Sequence, residues 1–396
     1  MRILIVTEAL VLGGAETFVL RLARRLRQDE HEAELLCLNP DLDDPRLIAQ
    51  FPEVPIHRVP VTGLRTIKRI DRVARLVGVD LDLQQRRAAR WVERHLIGRY
   101  EVHHSNLFGA DWLLTRLKQE RPEMKIVSTL HGDYALYEAR ENGTEKARLP
   151  RWRAKLVAVL ASVDRWVTIS PVQHRQFTDK FGVNPAMLID IPNGYTPPAP
   201  MAPAKPRGDT SVRFVMVARG MQEKGWAFLI EAFARLKGDV AMTLVGEGAF
   251  LDQLRQQVSD TRIVFAGAHP NPIELMAGGD VFVHPSIYRA ESMPTVIVEA
   301  LFAGLPVIAT NVGSVAAMIA APSGELAGVL AEPDEATLAT NLAAAMQAYV
   351  DDPALRARHA GLAAAAFVKF DMGRCAAAYA ALYADVASNS STKASH

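Results

Sequence analysis

Two series of short apolar segments alternating with helical ones, the second starting afresh after a proline-rich break, constrain this chain more than any single motif. In the first series residues 3–7 form a continuous apolar strand, Gly13-Gly14 a turn, and residues 15–26 a helical pattern. Further strands are predicted at 33–38, 102–105, 126–130, 166–169 and 188–191. Strands and helices alternating in this way build a parallel, doubly wound sheet with right-handed crossovers. Residues 195–210 then read YTPPAPMAPAKPRGDT, and five prolines exclude a regular helix and a central strand alike. Beyond them the pattern restarts, with strands at 213–218, 241–245, 263–265, 281–284 and 306–309 and helices at 226–236, 250–258 and 295–303. The fold class expected is α/β, with two parallel-sheet domains at residues 1–197 and 211–370 joined by a linker at 198–210. A last helix at 371–387 and a disordered tail at 388–396 complete the chain.

A chain of 396 residues with 49% hydrophobic content can bury two such cores. Its 45 Lys and Arg against 44 Asp and Glu leave a formal charge of +1, which argues against a general nucleic-acid binder. Cys37 and Cys375 stand far apart, without histidines at metal spacing. Neither a disulfide framework nor a zinc site is indicated, and a reducing, cytoplasmic setting fits. The longest uncharged stretch, 300–324, is broken by Gly304, Pro306, Asn311 and Gly313, so no membrane span is expected.

In open α/β sheets ligands bind beyond the carboxyl ends of the strands, which gives weight to polar residues just after strands. Arg219 and Lys224 follow the strand at 213–218 on a glycine-flanked loop that leads into a helix. Two cations beside a helix start suit a diphosphate, and they also read as solvated surface charges. Gly246-Glu247-Gly248 ends the next strand and reads equally as a ligand approach or a plain turn. The densest group runs from Glu291 through Met293, Pro294 and Thr295 to Glu299. Pro294 is expected at the first helical position, with the free amides of Thr295 and Val296 facing the loop of Glu291. Glu299 sits in an otherwise apolar helix, where a carboxylate needs either a side-chain partner or a ligand such as ribose hydroxyls. In the first half, Gly13-Gly14 precedes a helix, and His131 of His131-Gly132-Asp133 follows the strand at 126–130 as a candidate contact for a reacting group. Ser170 and Asn193-Gly194 end later strands and read at least as well as turns.

In order along the chain, GGAE (13–16), HGD (131–133), IPNG (191–194), Arg219 with Lys224, GEG (246–248), the pair Glu291 and Glu299, and AGLPVIAT (303–310) resemble retaining glycosyltransferase family four over nearly the whole sequence. The resemblance implies the GT-B fold, with two Rossmann-like domains facing across a cleft. It implies a nucleotide-sugar donor held mainly by the C-terminal domain and a glycan or lipid-linked acceptor met mainly by the N-terminal one. The last helix is implied to cross back onto the first domain. Residue by residue, Arg219 and Lys224 are implied to neutralise the diphosphate, Glu291 to contact sugar hydroxyls and Glu299 the ribose. His131 is implied to face the anomeric centre, and Gly13-Gly14 to let their loop approach the phosphates. With the helix start near Pro294 adding backbone N–H groups, neither a metal nor another cofactor is required. Three departures stand out: Tyr195-Thr196 after IPNG, Ser314 and Ala317 in the GGxxE segment, and Met293-Pro294 where many members have Phe-Gly. The last of these resembles users of UDP-sugars more than users of GDP-mannose.

A metal-dependent GT-A transferase would need a carboxylate pair such as Asp80-Leu81-Asp82, which reads as a surface feature between arginine-rich helices. An epimerase of the same architecture, which binds the donor and transfers nothing, is a second alternative, and a non-catalytic nucleotide-sugar-binding subunit a third. From 65 to 99, ten Lys and Arg stand against four Asp and Glu, interleaved with Leu, Ile, Val and Trp91. This stretch reads either as a contact for anionic membrane at the inner face of the cytoplasmic membrane or as solvated helix faces.

Overall fold

A computed structural model describes residues 1–11, 13–76, 79–131, 149–197, 210–269, 271–288 and 291–388. The linker expected at 198–210, apart from Thr210, and the tail beyond Ser388 lie outside the described residues, as do Gly132 and Asp133. The chain divides into two compact units, one of Met1–Gly194 with residues 372–396 and one of Tyr195–Asp371.

Among the described residues the first unit carries a seven-stranded parallel sheet in the order β3-β2-β1-β4-β5-β6-β7. Its strands are β1 (Arg2–Thr7), β2 (Glu32–Cys37), β3 (Ile56–Arg58), β4 (Val102–Asn106), β5 (Ile126–Leu130), β6 (Arg165–Thr168) and β7 (Leu188–Asp190). Helices cover both faces, which is why β1 is apolar from Ile3 to Val6 instead of alternating. Ile3 and Ile5 enter a core shared with helices Gly14–Gln28 and Met372–Ser388. Leu4 and Val6 enter a second core with helices Leu83–His95 and Phe108–Glu120. β3 was not predicted: its three residues, Ile-His-Arg, carry no apolar run, and pairing with β2 at the sheet edge makes them a strand. Gly194 lets the last helix lie close, since a Cβ there would stand 2.8 Å from both Met372 Cα and Cys375 Cβ. Beneath the sheet His104 is hydrogen-bonded to Thr129 and to Tyr383, each at 2.7 Å, which fixes that helix on the strands.

The second unit carries, among the described residues, a six-stranded parallel sheet in the order β10-β9-β8-β11-β12-β13. Its strands are β8 (Val212–Val217), β9 (Val240–Val245), β10 (Ile263–Gly267), β11 (Val281–His284), β12 (Val307–Thr310) and β13 (Gly328–Ala331). β13 was also not predicted; Gly328 lets it approach β12, where a Cβ would collide with the Val307 carbonyl. Tyr195 belongs to this unit by packing, buried among Phe302 and Phe367 at ring separations of 5.7 and 6.3 Å. Strand order reverses between β1 and β4 in one sheet and between β8 and β11 in the other, the two places where such sheets open for ligands. Among the described residues no helix is long and apolar enough to cross a membrane.

Candidate active site

The β8/β11 switch point brings two of the predicted loops together. Beyond β8 the chain passes Arg219 and a short turn, Gln222–Lys224, into Gly225, whose φ of +79° opens helix Trp226–Ala234. A Cβ on Gly225 would collide with the Pro285 carbonyl, so glycine is what allows the β8 and β11 loops to touch. The Ile287 N–H donates to the Glu223 carbonyl at 2.9 Å and fastens the two. As a result Lys224 Nζ bonds directly to Oε1 of Glu291, with the side chains only 12% and 10% exposed. Ser286 Oγ donates to the same oxygen at 3.0 Å, and Thr310 Oγ1 donates to the Ser286 carbonyl. The ammonium also stands 5.4 Å from the ring centre of Tyr288.

Sequence reasoning missed His284, the last residue of β11. It is buried, its Nε2 lies 3.8 Å from Glu291 Oε1, and neither ring nitrogen has a hydrogen-bond partner among the described residues. Burial pushes its imidazole down to about 4; the Glu291 carboxylate opposes this and the Lys224 cation adds to it. A polar ring closing the apolar run Val-Phe-Val was the available signal.

The remaining second-unit residues surround this pair. Gly220 donates its N–H to the Glu247 carbonyl at 2.7 Å, and a Cβ on Gly246 would collide with the Ala218 carbonyl. The Gly246-Glu247-Gly248 turn is thus a close approach of two loops, with the Glu247 side chain exposed. Arg219 is exposed and has no side-chain partner among the described residues; its carbonyl accepts from Trp226 Nε1 at 2.9 Å. Pro294 corrects the prediction: with ψ of 110° it caps helix Thr295–Phe302 instead of opening it. Its carbonyl accepts from Ile297 N–H at 3.0 Å, which leaves Thr295 and Val296 ahead of the first internal bond. Met293 is half-buried against the unit's core. Glu299 is half-buried rather than enclosed, because the helix turns Ile297, Val298, Ala300 and Leu301 inward and leaves position 299 beside that stripe.

In the first unit His131 follows β5, half-buried, with its ring centre 5.3 Å from that of Phe18. Its Nε2–H donates to Asn106 Oδ1 at 2.8 Å, which leaves Nδ1 to accept from Asn193 Nδ2 at 3.5 Å. Burial pushes this imidazole down to about 3, so it is neutral near pH 7. Asn106 and Asn193, unassigned or read as a turn in the sequence, therefore orient it. At the Gly13-Gly14 turn a Cβ on Gly13 would collide with the Glu16 carboxylate, which folds back onto its own backbone N–H. Burial raises that carboxyl above the usual range, and neighbouring Glu8 adds to the rise. The helix start expected to approach phosphate is met here by the chain's own Glu16. Asp80 and Asp82 are not open surface residues: both are partly buried around Lys155 Nζ, at 2.9 and 3.3 Å. The two carboxylates are thus paired with a cation of the chain's own.

Two open parallel sheets, each with polar loops gathered at its switch point, place the chain among the doubly wound α/β proteins, which bind ligands beyond the carboxyl ends of their strands. Residues 12–197 match the family described as Glycosyltransferase Family 4, and residues 211–352 that described as Glycosyl transferases group 1. The chain belongs to the family 4 glycosyltransferases. Glycogen synthase of Mycobacterium tuberculosis is 29% identical over 273 residues, covering 66% of this chain and 63% of that protein, so the chain spans less than two thirds of that relative's length. The phosphatidyl-myo-inositol mannosyltransferase of Mycolicibacterium smegmatis is 26% identical over 375 residues, covering 91% and 87%. Among solved structures, Anabaena HepE in complex with UDP is similar with a TM-score of 0.75 and 20% identity, covering 97% of this chain and 100% of that one. That likeness concerns the fold, which is GT-B.

Proposed function

We propose that this chain transfers a sugar from a nucleoside diphosphate donor, a UDP-sugar, to a hydroxyl of a glycan or lipid-linked acceptor with retention of configuration. The observation that carries this reading is the buried Lys224–Glu291 pair at the β8/β11 switch point, accompanied by the exposed Arg219 and the open start of helix Thr295–Phe302. Two cations and free amides at one sheet end suit a departing diphosphate. In the reaction the bond from the anomeric carbon to the β-phosphate oxygen breaks, and its electron pair stays on the phosphate. The acceptor oxygen bonds to the same face of that carbon, and its proton passes to the leaving phosphate. Arg219 and Lys224 neutralise the charge that builds there, so the step calls for no metal ion. Glu291, released when the diphosphate takes Lys224, turns to the sugar hydroxyls, and Glu299 takes the ribose. His131 is assigned the contact with the anomeric centre, where a neutral ring donates or accepts without adding charge.

HepE was solved with UDP and with UDP-glucose, which together with Met293-Pro294 supports the choice of base. The named activity of the M. smegmatis relative supports a lipid-linked acceptor. Helix Leu64–Leu76 exposes Ile70, Val73 and Leu76 among Arg65, Lys68, Arg69 and Arg72, which supports contact with anionic membrane. Pelleting with anionic vesicles at rising salt tests that contact, and no binding at low salt refutes it.

The donor reading is tested by incubating the purified chain with UDP-, GDP- and ADP-sugars and following thermal protection, nucleotide release and sugar identity. Protection by UDP-sugars, lost in Arg219→Ala and Glu299→Ala with the sugar unchanged, is expected. No nucleotide response rejects the reading, and conversion of the sugar to its epimer favours an epimerase.

A further inference from the structure

Three side chains of the second unit converge on one oxygen of Glu291. Lys224 Nζ bonds to Oε1, Ser286 Oγ donates to it at 3.0 Å, and His284 Nε2 lies 3.8 Å away. Oε2 has no partner among the described residues. His284 is 2% exposed, and both its ring nitrogens are closed to water as well as unpartnered among the described residues. Buried polar atoms are paired in the great majority of cases, so the ring is short of a partner in this state, and the carboxylate beside it is one. A movement of about 1 Å closes the gap to hydrogen-bond distance.

Lys224 is what keeps the ring idle. Burial holds the imidazole down to about 4; Glu291, on its own loop, favours a proton there and Lys224, from the β8 loop, opposes one. The other elements packed on His284 add no charge. β8 is apolar from Phe214 to Val217, β12 presents the Thr310 hydroxyl to the His284 carbonyl at 3.4 Å, and helix Thr295–Phe302 turns Ile297 and Val298 inward. A diphosphate that draws Lys224 away leaves a buried carboxylate without its cation, which is strongly unfavourable. Besides Lys224, His284 is the basic group beside that carboxylate among the described residues.

We propose that His284 is the positioning residue that takes over Glu291 when the donor diphosphate draws Lys224 away. It accepts one proton from solvent as the nucleotide sugar binds and donates Nε2–H to Oε1, leaving Oε2 for the sugar. The trigger rests on the donor reading; the pairing of His284 with Glu291 does not.

Calorimetric titration of the purified chain with UDP-glucose, in two buffers of unlike ionisation enthalpy, counts the protons taken up. UDP-glucose has no group of its own that titrates between pH 5.5 and pH 8. Net uptake at pH 6 and none at pH 8 is expected, with binding about threefold or more tighter at pH 5.5 than at pH 8. His284→Gln keeps a donor amide and gives up the titration, so uptake and pH dependence vanish while binding at pH 8 is retained; His284→Asn is the second variant should glutamine not fit the core. Lys224→Met imitates the departed cation without any nucleotide. In it the His284 NMR resonance, assigned by its loss in the His284 variant, titrates at higher pH than in wild type, and falls back in Lys224→Met/Glu291→Gln. A wild-type titration in Lys224→Met overturns the pairing, whatever the nucleotide does. UDP-glucose that binds with no proton uptake at pH 6, or with uptake undiminished in the His284 variants, overturns the proposal and leaves the donor reading standing. No binding of UDP-glucose overturns the donor reading and the trigger together.

Discussion

Replacing Lys224 by methionine leaves Glu291 as a carboxylate 10% exposed with its cation gone. Removing one partner of a buried ion pair costs about 3–5 kcal/mol. Ser286, at 3.0 Å, and His284, at 3.8 Å, still face the carboxylate, which places the cost at the lower end, about 3 kcal/mol. A unit of this size loses about 2–4 °C per kcal/mol, so the second unit should melt about 6–12 °C lower. The double variant Lys224→Met/Glu291→Gln removes both charges and should recover most of the loss. The pH dependence has a defined sign. In the native chain burial holds His284 at about 4, below its ordinary value, so stability is lost as pH falls from about 6.5 towards 4. Lys224 contributes to that depression and Glu291 opposes it. Without Lys224 the imidazole takes a proton at higher pH, and the deficit of Lys224→Met should be largest near pH 8 and shrink on acidification. In Glu291→Gln the anion is the missing charge, and the deficit should not shrink. Scanning calorimetry between pH 8 and pH 5.5 measures all three variants. A Lys224→Met melting temperature equal to wild type at pH 8, or a deficit that grows as pH falls, would refute the reasoning.

Three further outcomes follow from the same structure. Gly313 has φ of +53° and faces the Glu291 carbonyl so closely that a Cβ would collide with it, so Gly313→Ala should cost about 3 kcal/mol or more and abolish nucleotide protection; urea denaturation with wild-type stability would contradict it. Gly194→Ala places a methyl 2.8 Å from Met372 Cα and Cys375 Cβ, and limited proteolysis should then release helix Met372–Ser388 faster than in wild type, with about 1–3 kcal/mol lost. Burial pushes His103 down to about 4 and His104 and His131 to about 3 in the first unit; in the second it pushes His284 down to about 4 and also lowers His359. Their stability contribution is present above about pH 6.5 and disappears towards pH 4, offset in part by Glu8 and Glu16, whose carboxyls burial raises. Denaturant melts should therefore show the first unit losing more on acidification, and equal slopes for the two units would count against the assignment.

The sequence by itself determined the class of fold and the places where loops emerge from it. Short apolar runs, glycine turns and a proline-rich break are local signals, and they located β1, β4, β5, β8, β9 and β11 together with Arg219, Lys224, Glu291 and His131 at strand ends. β3 was illegible because Ile-His-Arg carries no apolar run, and β13 because it opens on Gly328, a poor strand former; both become strands by pairing with a neighbour. Tertiary structure alone decided which charges meet. Lys224 finds Glu291 because Gly225 lets one loop touch another. Lys155 stands between Asp80 and Asp82 because a helix distant in sequence packs beside them. The ring nitrogens of His284, unpartnered among the described residues, are a product of folding too, since a polar atom is orphaned only once neighbours have taken its water. Periodicity is written residue by residue along the chain; burial, pKa and pairing are sums over neighbours, and neighbours exist only after the chain has folded.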